Sequence, residues 1–474
     1  MPVVEFRERL TNFYRYPRIC GFQDRIADYD EYMSFLDQPH PRRKLAYIYI
    51  HVPWCTSMCN YCPFYHTHYH HTDEATKARF TEAVVSELTM YASTPFYAGR
   101  PIVNVNFGGG TPFLLETRHL ERILTTIYSR FTMAPDPVVS IEGDPIALQD
   151  VSKLRTLKAL GMTRASFGLQ TFNDRLRKKL TVQSSSSDVY KCVDSLHRAG
   201  YDEWGCDMLY NCPEQNVTEI RYNVDRICEL GPAIVDVYDL NISPNTKLAQ
   251  LVLDNRFAVN PSNRAEIEQF AAIQETFDGH GYQQIRSVNF KPPHVETHRH
   301  GILHQFSEDV LGIGPSARTF LYTAGRNYRN QCSTEDYIRE VEAGRCPVEA
   351  GNVVPPAVLE ERDMMLFPYY LEAAKDSINY PRFQPLIADM IESGYVEEDP
   401  GAIRLTGRGR LWAGNVQYYL HSEAEKAAMG RSTFLSLQRG TNLFNQDYVN
   451  VGRPRAQVLA VPRPAAAPAA TGAP

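Results

Sequence analysis

Cys55, Cys59 and Cys62 set three thiols within eight residues, on the stretch Tyr49-Ile-His-Val-Pro-Trp-Cys-Thr-Ser-Met-Cys-Asn-Tyr-Cys62 that leaves the apolar run Ala46–Val52. At CxxxCxxC spacing each thiolate can hold one iron of a [4Fe-4S] cube, which leaves the fourth iron without a protein ligand and open to chemistry. The alternative is a zinc knot, which takes four tetrahedral ligands and usually two CxxC pairs. No second pair with that spacing exists, although His66, His68, His70 or His71 can supply a fourth ligand. Those histidines also fit the mouth of a site, or a hydrated loop before a helix capped by Thr72 or Asp73.

A second feature is Asn104-Val-Asn-Phe-Gly108-Gly109-Gly110-Thr111-Pro112. Three glycines after a strand let backbone approach a ligand and aim N–H groups at an anionic group such as a carboxylate. A tight turn uses glycine in the same way.

The elements that must position these motifs alternate at a regular pace. Strand-like runs lie at 47–52, 102–107, 138–142, 164–168, 204–210 and 234–242; helix-like stretches lie near 74–90, 120–131, 148–159, 187–198 and 217–230. Strands alternating with helices of this length predict a parallel sheet, open or closed into a barrel, with its site at the C-terminal strand ends. The expectation is an α/β fold, a partial (β/α)6 TIM-type barrel, with a smaller, mainly helical C-terminal domain. Four segments follow: an N-terminal extension at 1–43, the barrel domain with its extension at 44–350, the C-terminal domain at 351–451, and a Pro/Ala-rich tail at 452–474. In the third, Pro355-Pro356 marks the break, 358–371 and 383–394 read as helices, and 395–405 turns through Pro400-Gly401. The tail has too few large apolar residues to order itself.

With 474 residues, 43% of them apolar, the chain can fill a barrel core and a smaller one. A net charge of -6 without long single-sign runs argues against nucleic acid as a partner. Met1–Arg9 lacks a signal-type apolar core and no 18-residue apolar stretch occurs, so no membrane and a cytoplasmic location are expected. Ten scattered cysteines suit reduced thiols in a reducing compartment.

From about Tyr47 to Leu420, the order of these motifs resembles radical S-adenosylmethionine (SAM) enzymes, and within them the HemN-like group named for oxygen-independent coproporphyrinogen III dehydrogenase. The resemblance implies Cys55, Cys59 and Cys62 as cluster ligands, Tyr49 beside the cofactor, and Gly109, Gly110 and Thr111 around the SAM amino group. It gives SAM contacts to Glu142, in Ser140-Ile-Glu-Gly-Asp144-Pro, and to Gln170, in Phe167-Gly-Leu-Gln170-Thr-Phe, and an adenosine contact to Asp207. As isolated residues, such strand-end groups can also be helix caps. Two positions depart from the dehydrogenase pattern: Phe64 stands where it carries a further Cys, and Val182 where the family usually has an Arg.

Leu311-Gly-Ile-Gly314-Pro-Ser-Ala-Arg318 resembles a late glycine motif of the class C methylases and cyclopropanases of natural-product and antibiotic biosynthesis, which bind two SAM molecules. Gly312 and Gly314 are then further cofactor contacts. Arg299-His300 matches an Arg-His pair of that group, so the expected catalytic residues are Tyr49 and His300. This branch implies a 5′-deoxyadenosyl radical taking hydrogen from the methyl group of a second SAM. The resulting methylene radical then adds to an sp2 carbon of an aromatic or alkene-bearing substrate. Electrons come from a donor such as flavodoxin or ferredoxin. Within the wider resemblance, oxidative decarboxylation of coproporphyrinogen III and haem carriage are the alternatives.

Overall fold

The computed structural model describes residues 4–6, 9–10, 25–40, 46–240, 242, 246–258, 263–296, 308–422 and 426. Arg299, His300 and the segment 452–474 lie outside the described residues.

Strands β1 (Ala46–Val52), β2 (Pro101–Gly109), β3 (Thr132–Gly143), β4 (Arg164–Gln170), β5 (Trp204–Tyr210) and β6 (Ile234–Asp239) lie side by side in that order, all parallel. Helices α1 (Glu74–Ala92), α2 (Thr117–Arg130), α3 (Val151–Ala159), α4 (Ser186–Ala199) and α5 (Val217–Leu230) connect them. Local sequence explains the boundaries. Asp73 caps α1 by accepting from Thr76 N at 2.7 Å, Ser185 and Asp188 form a reciprocal capping box on α4, and Gly200 and Gly231 end α4 and α5 in the left-handed region. In α2, Leu120, Ile123, Leu124 and Ile127 recur at helical spacing and are buried against the sheet.

The sheet does not stop at six strands. Helix α6 (Asn263–Gly279) leads to β7 (Gln283–Arg286) and β8 (Asn289–Lys291), an antiparallel hairpin whose β8 pairs with β6. On the other edge β9 (Asp309–Ile313) runs parallel to β1 and is followed by antiparallel β10 (Arg318–Leu321), β11 (Arg326–Asn330) and, after α7 (Thr334–Glu342), β12 (Val348–Val353). Among the described residues β6 and β9 are not paired, so the barrel is open. This confirms a radical SAM-type α/β architecture in outline and corrects it at two borders. Strand β12 runs through position 350, so the sheet ends at Val353, and Val354 N still bonds Gly325 O at 2.7 Å. The N-terminal segment is no appendage either: Arg25–Ile26 pairs with β12, and Tyr32 and Leu36 of the helix Tyr29–Leu36 lie fully buried in the main core.

The C-terminal unit comprises α8 (Pro356–Tyr370), α9 (Tyr380–Glu392), a three-stranded antiparallel sheet of Glu372–Ala374, Val396–Glu398 and Ala402–Leu405, and α10 (Ala413–Leu420) around its own apolar core. The helices and the 395–405 hairpin match the sequence reading; the third strand carries no sequence signal. Ser287 N bonds Tyr369 O at 3.0 Å, which seats this unit on the β7–β8 hairpin. Val4, Phe6, Arg9 and Leu10 strap it further. Val4 N bonds Ser393 Oγ at 2.9 Å, Leu10 N bonds Asn415 Oδ1 at 2.8 Å, and the Phe6 ring packs 4.6 Å from Tyr395. Arg9 then reaches the barrel, bonding Leu411 O at 2.6 Å, Tyr210 Oη at 2.7 Å and the Glu266 carboxylate, with its guanidinium 3.7 Å over Phe270.

Glu87 ties α1 to the added strands, accepting from Gly314 N at 2.9 Å, Asn330 Nδ2 at 2.7 Å and Tyr337 Oη at 2.6 Å. Burial pushes its carboxyl up to about 8, with Tyr337, Gly314 and Asn330 opposing. Because the folded value lies above the unfolded one, this group's stabilisation is complete below about pH 4 and is lost as pH rises through about 8. Glu87→Gln is expected to flatten the fall in stability over that window, measured by urea unfolding at a series of pH values.

Candidate active site

The C-terminal half of β1–β5 surrounds a hollow. Tyr49, Asn106, Glu142, Gly168 and Asp207 alternate with outward residues, and their interleaved neighbours Ile48, Ile50, Val105, Phe107, Ile141, Phe167 and Met208 are buried under the helices. Tyr49, Asn106, Glu142 and Asp207 are only half-buried, so the barrel interior is polar and open where such an interior is ordinarily filled by apolar layers. Register fixes their order: Tyr49 pairs with Asn106, Asn106 with Ser140, Glu142 with Ser166, and Gly168 with Asp207.

The cysteine loop leaves β1 at the rim. Trp54–Cys55 pairs with Thr67–His68, closing the loop, and Trp54 anchors it, buried 4.8 Å from Phe80. Asn60 pins the middle: its N bonds Thr181 Oγ1 and its Nδ2 bonds Lys179 O, each at 2.8 Å, and its O accepts from Leu248 N at 2.7 Å. All three thiols are free, and burial pushes them up, Cys55 to about 11, with Thr111 Oγ1, 3.6 Å from Cys55 Sγ, opposing. A bound metal supplies the positive charge that reverses this penalty and makes thiolates. Among the described residues no three His, Cys, Asp or Glu groups gather closely enough to hold one ion. A cube takes one thiolate per iron, and Cys55, Cys59 and Cys62 are the three thiols of this loop that could supply them.

Gly108, Gly109 and Gly110 form the wall beside that loop. A Cβ on Gly110 would meet Trp54 O at 2.6 Å, and Gly109, at φ +103°, faces the His51 ring. Gly110 N bonds Val52 O at 2.8 Å and Thr111 N bonds Trp54 O at 2.6 Å. A Cβ on Gly108 would lie 2.7 Å from Glu142 Oε1 and 2.9 Å from the Tyr49 ring, so this cradle exists only without a side chain. Gln170, at φ 67°, stands in the left-handed region, where a non-glycine residue is strained, and its buried Oε1 has no hydrogen-bond partner among the described residues. Gly168 makes room for its amide.

Residue by residue, the structure brings Tyr49, Gly109, Gly110, Thr111, Glu142, Gln170 and Asp207 to one mouth beside the three cysteines. Gly312 and Gly314 lie on and just after β9, along β1, where side chains would strike the backbone of Arg318 and His51. Backbone packing thus accounts for both glycines. Of the loop histidines, His68 and His71 stack at 4.4 Å on a short turn before α1. Phe64 is exposed on the cysteine loop, and Val182 packs against the apolar cluster of Leu176 and Leu180.

Sequence reasoning missed three neighbours, Asn106, Asp236 and His51. Asn106 Nδ2 donates to Glu142 Oε1 at 3.2 Å and Asn106 Oδ1 accepts from Ser140 Oγ at 2.6 Å, a relation that two-residue alternation from Gly108 and Glu142 points to. Asp236, on β6, pairs in register with Asp207 and carries a hydrogen bond from Asn289 Nδ2. Burial raises both Asp207 and Glu142, Asp236 adds to each, and Arg164 opposes at Asp207. His51 is held down to about 4 by burial, so its ring is neutral; Nε2 sits 2.9 Å from Tyr65 O.

The model of the radical SAM superfamily matches residues 49–227, which span the cysteine loop, the glycine wall, Glu142, Gln170 and Asp207. Coproporphyrinogen III oxidase (HemN) from Escherichia coli superposes with a TM-score of 0.72 over 87% of this chain and 99% of its own, at 20% identity. Residues 49–227 are thus similar to the radical SAM superfamily, and the fold is similar to that of HemN. Its sequence is 27% identical to anaerobilin synthase of Escherichia coli O157:H7 over 79% of the chain and 83% of that protein. It is 24% identical to oxygen-independent coproporphyrinogen III oxidase of Escherichia coli K12, over 83% and 89%, and 25% identical to haem chaperone HemW of Bacillus subtilis, over 78% and 97%. The last two carry the names of the decarboxylase and haem-carrier alternatives, and none of the three carries a name of methyl transfer or cyclopropanation.

A radical SAM domain implies a [4Fe-4S] cluster and SAM, and the residues present fit both: three free thiols at the rim, a glycine cradle and an orphaned amide oxygen. Among the described residues no helix is long and apolar enough to cross a membrane. Cys59→Ala is expected to abolish iron and sulfide retention after anaerobic reconstitution, read by metal analysis. Gly108→Val should keep the cluster but weaken SAM binding by about tenfold or more, measured calorimetrically, since its methyls fill the cradle.

Proposed function

We propose that this protein is a radical SAM enzyme acting on a tetrapyrrole, and that the open polar hollow of β1–β5 is where SAM meets it. The observation that carries the reading is that hollow: carboxylates and amides point into space that a structural barrel fills with apolar side chains. The names of the relatives, a coproporphyrinogen oxidase, a haem chaperone and anaerobilin synthase, support the tetrapyrrole class. Cys55, Cys59 and Cys62 would hold the cluster. Bound and reduced there, the cluster and SAM supply a 5′-deoxyadenosyl radical, the cofactor's own chemistry.

The chain's residues position and protect. Gly109, Gly110 and Thr111, whose N–H groups at 110 and 111 are held by Val52 and Trp54, would offer backbone carbonyl oxygens to the SAM amino group. Glu142, kept in place by Asn106, and Gln170, with its unpartnered oxygen, are placed to accept hydrogen bonds from the ammonium and amide donors of a ligand. Asp207 would take the ribose end, and the neutral His51 keeps Tyr49 oriented through a 3.3 Å contact to its hydroxyl. The C-terminal unit, strapped to Tyr210 by Arg9, is the element that would exclude water from the mouth.

A second reading, methyl or methylene transfer from a second SAM, is favoured by Phe64 and Val182, which replace the Cys and Arg of the decarboxylase pattern. Tyr49 and His300 are its catalytic candidates, with Gly312 and Gly314 near the second cofactor. One assay separates the readings. Reconstituted protein with dithionite, labelled SAM and either coproporphyrinogen III or haem is expected to give 5′-deoxyadenosine that depends on the tetrapyrrole. Carbon dioxide marks decarboxylation, S-adenosylhomocysteine marks methyl transfer, and haem binding without any 5′-deoxyadenosine marks a carrier and sinks the enzyme reading.

A further inference from the structure

Helix α8 carries a guanidinium that the fold buries without satisfying. Arg362 is only 9% exposed, and its Nε and Nη2 lie buried with no hydrogen-bond partner among the described residues. Its Nη1 makes a long contact, 3.4 Å, to Oδ1 of the exposed Asp363. Nε and Nη2 form one edge of the planar fork, the edge that can grip a carboxylate through two parallel hydrogen bonds. The guanidinium carbon lies 4.1 Å from the centre of the Tyr322 ring, which stacks on Phe320 at 5.7 Å, so the plane of the fork is set by packing. Donors of a buried cation are costly to leave unpaired, and an occupant with acceptor oxygens relieves that cost.

Two more groups of the same kind lie beside it. The Tyr370 hydroxyl and Arg286 Nε are buried and also lack a hydrogen-bond partner among the described residues. The Arg286 guanidinium sits 4.5 Å from the centre of the Tyr370 ring, and Ile285 O holds its Nη1 at 2.7 Å. Burial pushes the Tyr370 hydroxyl up, Arg362 and then Arg286 oppose, and Asp363 and Glu308 add to the rise. Both cations therefore act on one neutral O–H donor. Of the other acids nearby, Glu361 is engaged by Arg382.

The placement follows from α8. Arg362 rests on Tyr322, just beyond β10, while at the end of the helix Tyr369 O accepts from Ser287 N of the β7–β8 hairpin at 3.0 Å. The helix thus bridges the two sides of the open sheet. The hairpin lies against β6, where Val237 N bonds Val288 O at 2.8 Å. Tyr369 Oη donates to Asn289 Oδ1 at 3.5 Å, and Asn289 Nδ2 holds Asp236, the register partner of Asp207. A short chain of contacts therefore links the cationic cluster to the wall of the hollow.

We propose that Arg362, Tyr370 and Arg286 form a carboxylate-binding subsite under the C-terminal unit, which holds an acidic side arm of the substrate beside the hollow. Glu142, Asp207 and Asp236 repel such an arm from the hollow itself. The identity of the substrate rests on the tetrapyrrole reading; the fork, the hydroxyl and the second cation select a carboxylate whatever carries it.

The test uses the full chain with its cluster reconstituted and no reductant, so that binding is read without turnover. Coproporphyrin III, a stable tetracarboxylate, is titrated by fluorescence. Arg362→Met is expected to weaken its binding by about tenfold or more, and Tyr370→Phe by about threefold. Arg362→Lys, which keeps the charge and loses the fork, should recover only part of the loss. SAM affinity, measured calorimetrically, should match wild type in all three. Succinate probes the subsite without a tetrapyrrole: it should raise the thermal unfolding midpoint of the wild type and not of Arg362→Met. Equal coproporphyrin III binding by wild type and Arg362→Met, or a loss of SAM affinity equal to the loss for the porphyrin, would overturn the subsite. Stabilisation by inorganic phosphate and not by succinate overturns the carboxylate assignment. A wild type that responds to succinate through Arg362 yet binds no coproporphyrin III refutes the tetrapyrrole reading and leaves the subsite standing.

Discussion

Backbone lies directly on backbone where the glycine wall meets the cysteine loop, and the mouth of the barrel is built outward from that contact. Gly110 and Thr111 bond Val52 and Trp54 with no side chain between them, so the loop's path is set by the strand ends beneath it. Gly108 is squeezed between Tyr49 and Glu142 on the next layer. A loop held only by its own side chains would drift; here Asn60 fixes the far end against two other loops. The three thiols are therefore presented by a frame of backbone hydrogen bonds and the Asn60 contacts.

Three carboxylates, Glu142, Asp207 and Asp236, crowd the hollow while few cations face them. Burial and mutual repulsion both favour their protonated forms. Such an arrangement is unfavourable in isolation and becomes reasonable when the occupant is a cation with several hydrogen-bond donors. SAM, with a sulfonium and an ammonium, has that character. The same electrostatics disfavour an anionic group deep in the hollow, so an acidic tetrapyrrole would direct its carboxylates toward the rim.

Much of this was readable from residues. The alternation of 47–52, 102–107, 138–142, 164–168, 204–210 and 234–242 with helical stretches gave the six parallel strands, since long periodic segments encode their own secondary structure. The mouth residues followed from motif order. What escaped has a common cause: it depends on partners distant in sequence. The two-residue strand Arg25–Ile26 exists only because β12 offers an edge. Strands β10–β12 look like ordinary loop-and-turn sequence until β9 extends the sheet past β1. Gly312 and Gly314 read as a ligand motif, yet adjacent backbone already explains them. Asp236 matters through its register with Asp207, which no local pattern reports.

The strap formed by Val4, Phe6, Arg9 and Leu10 joins the beginning of the chain to partners between Ser393 and Asn415. On the ribosome, these four residues must therefore wait for partners that follow them by 389 to 405 positions. Domains generally fold from the N-terminus as they emerge. Here the barrel strands can assemble before the latch over Tyr210 closes, since that latch needs Leu411 and Asn415.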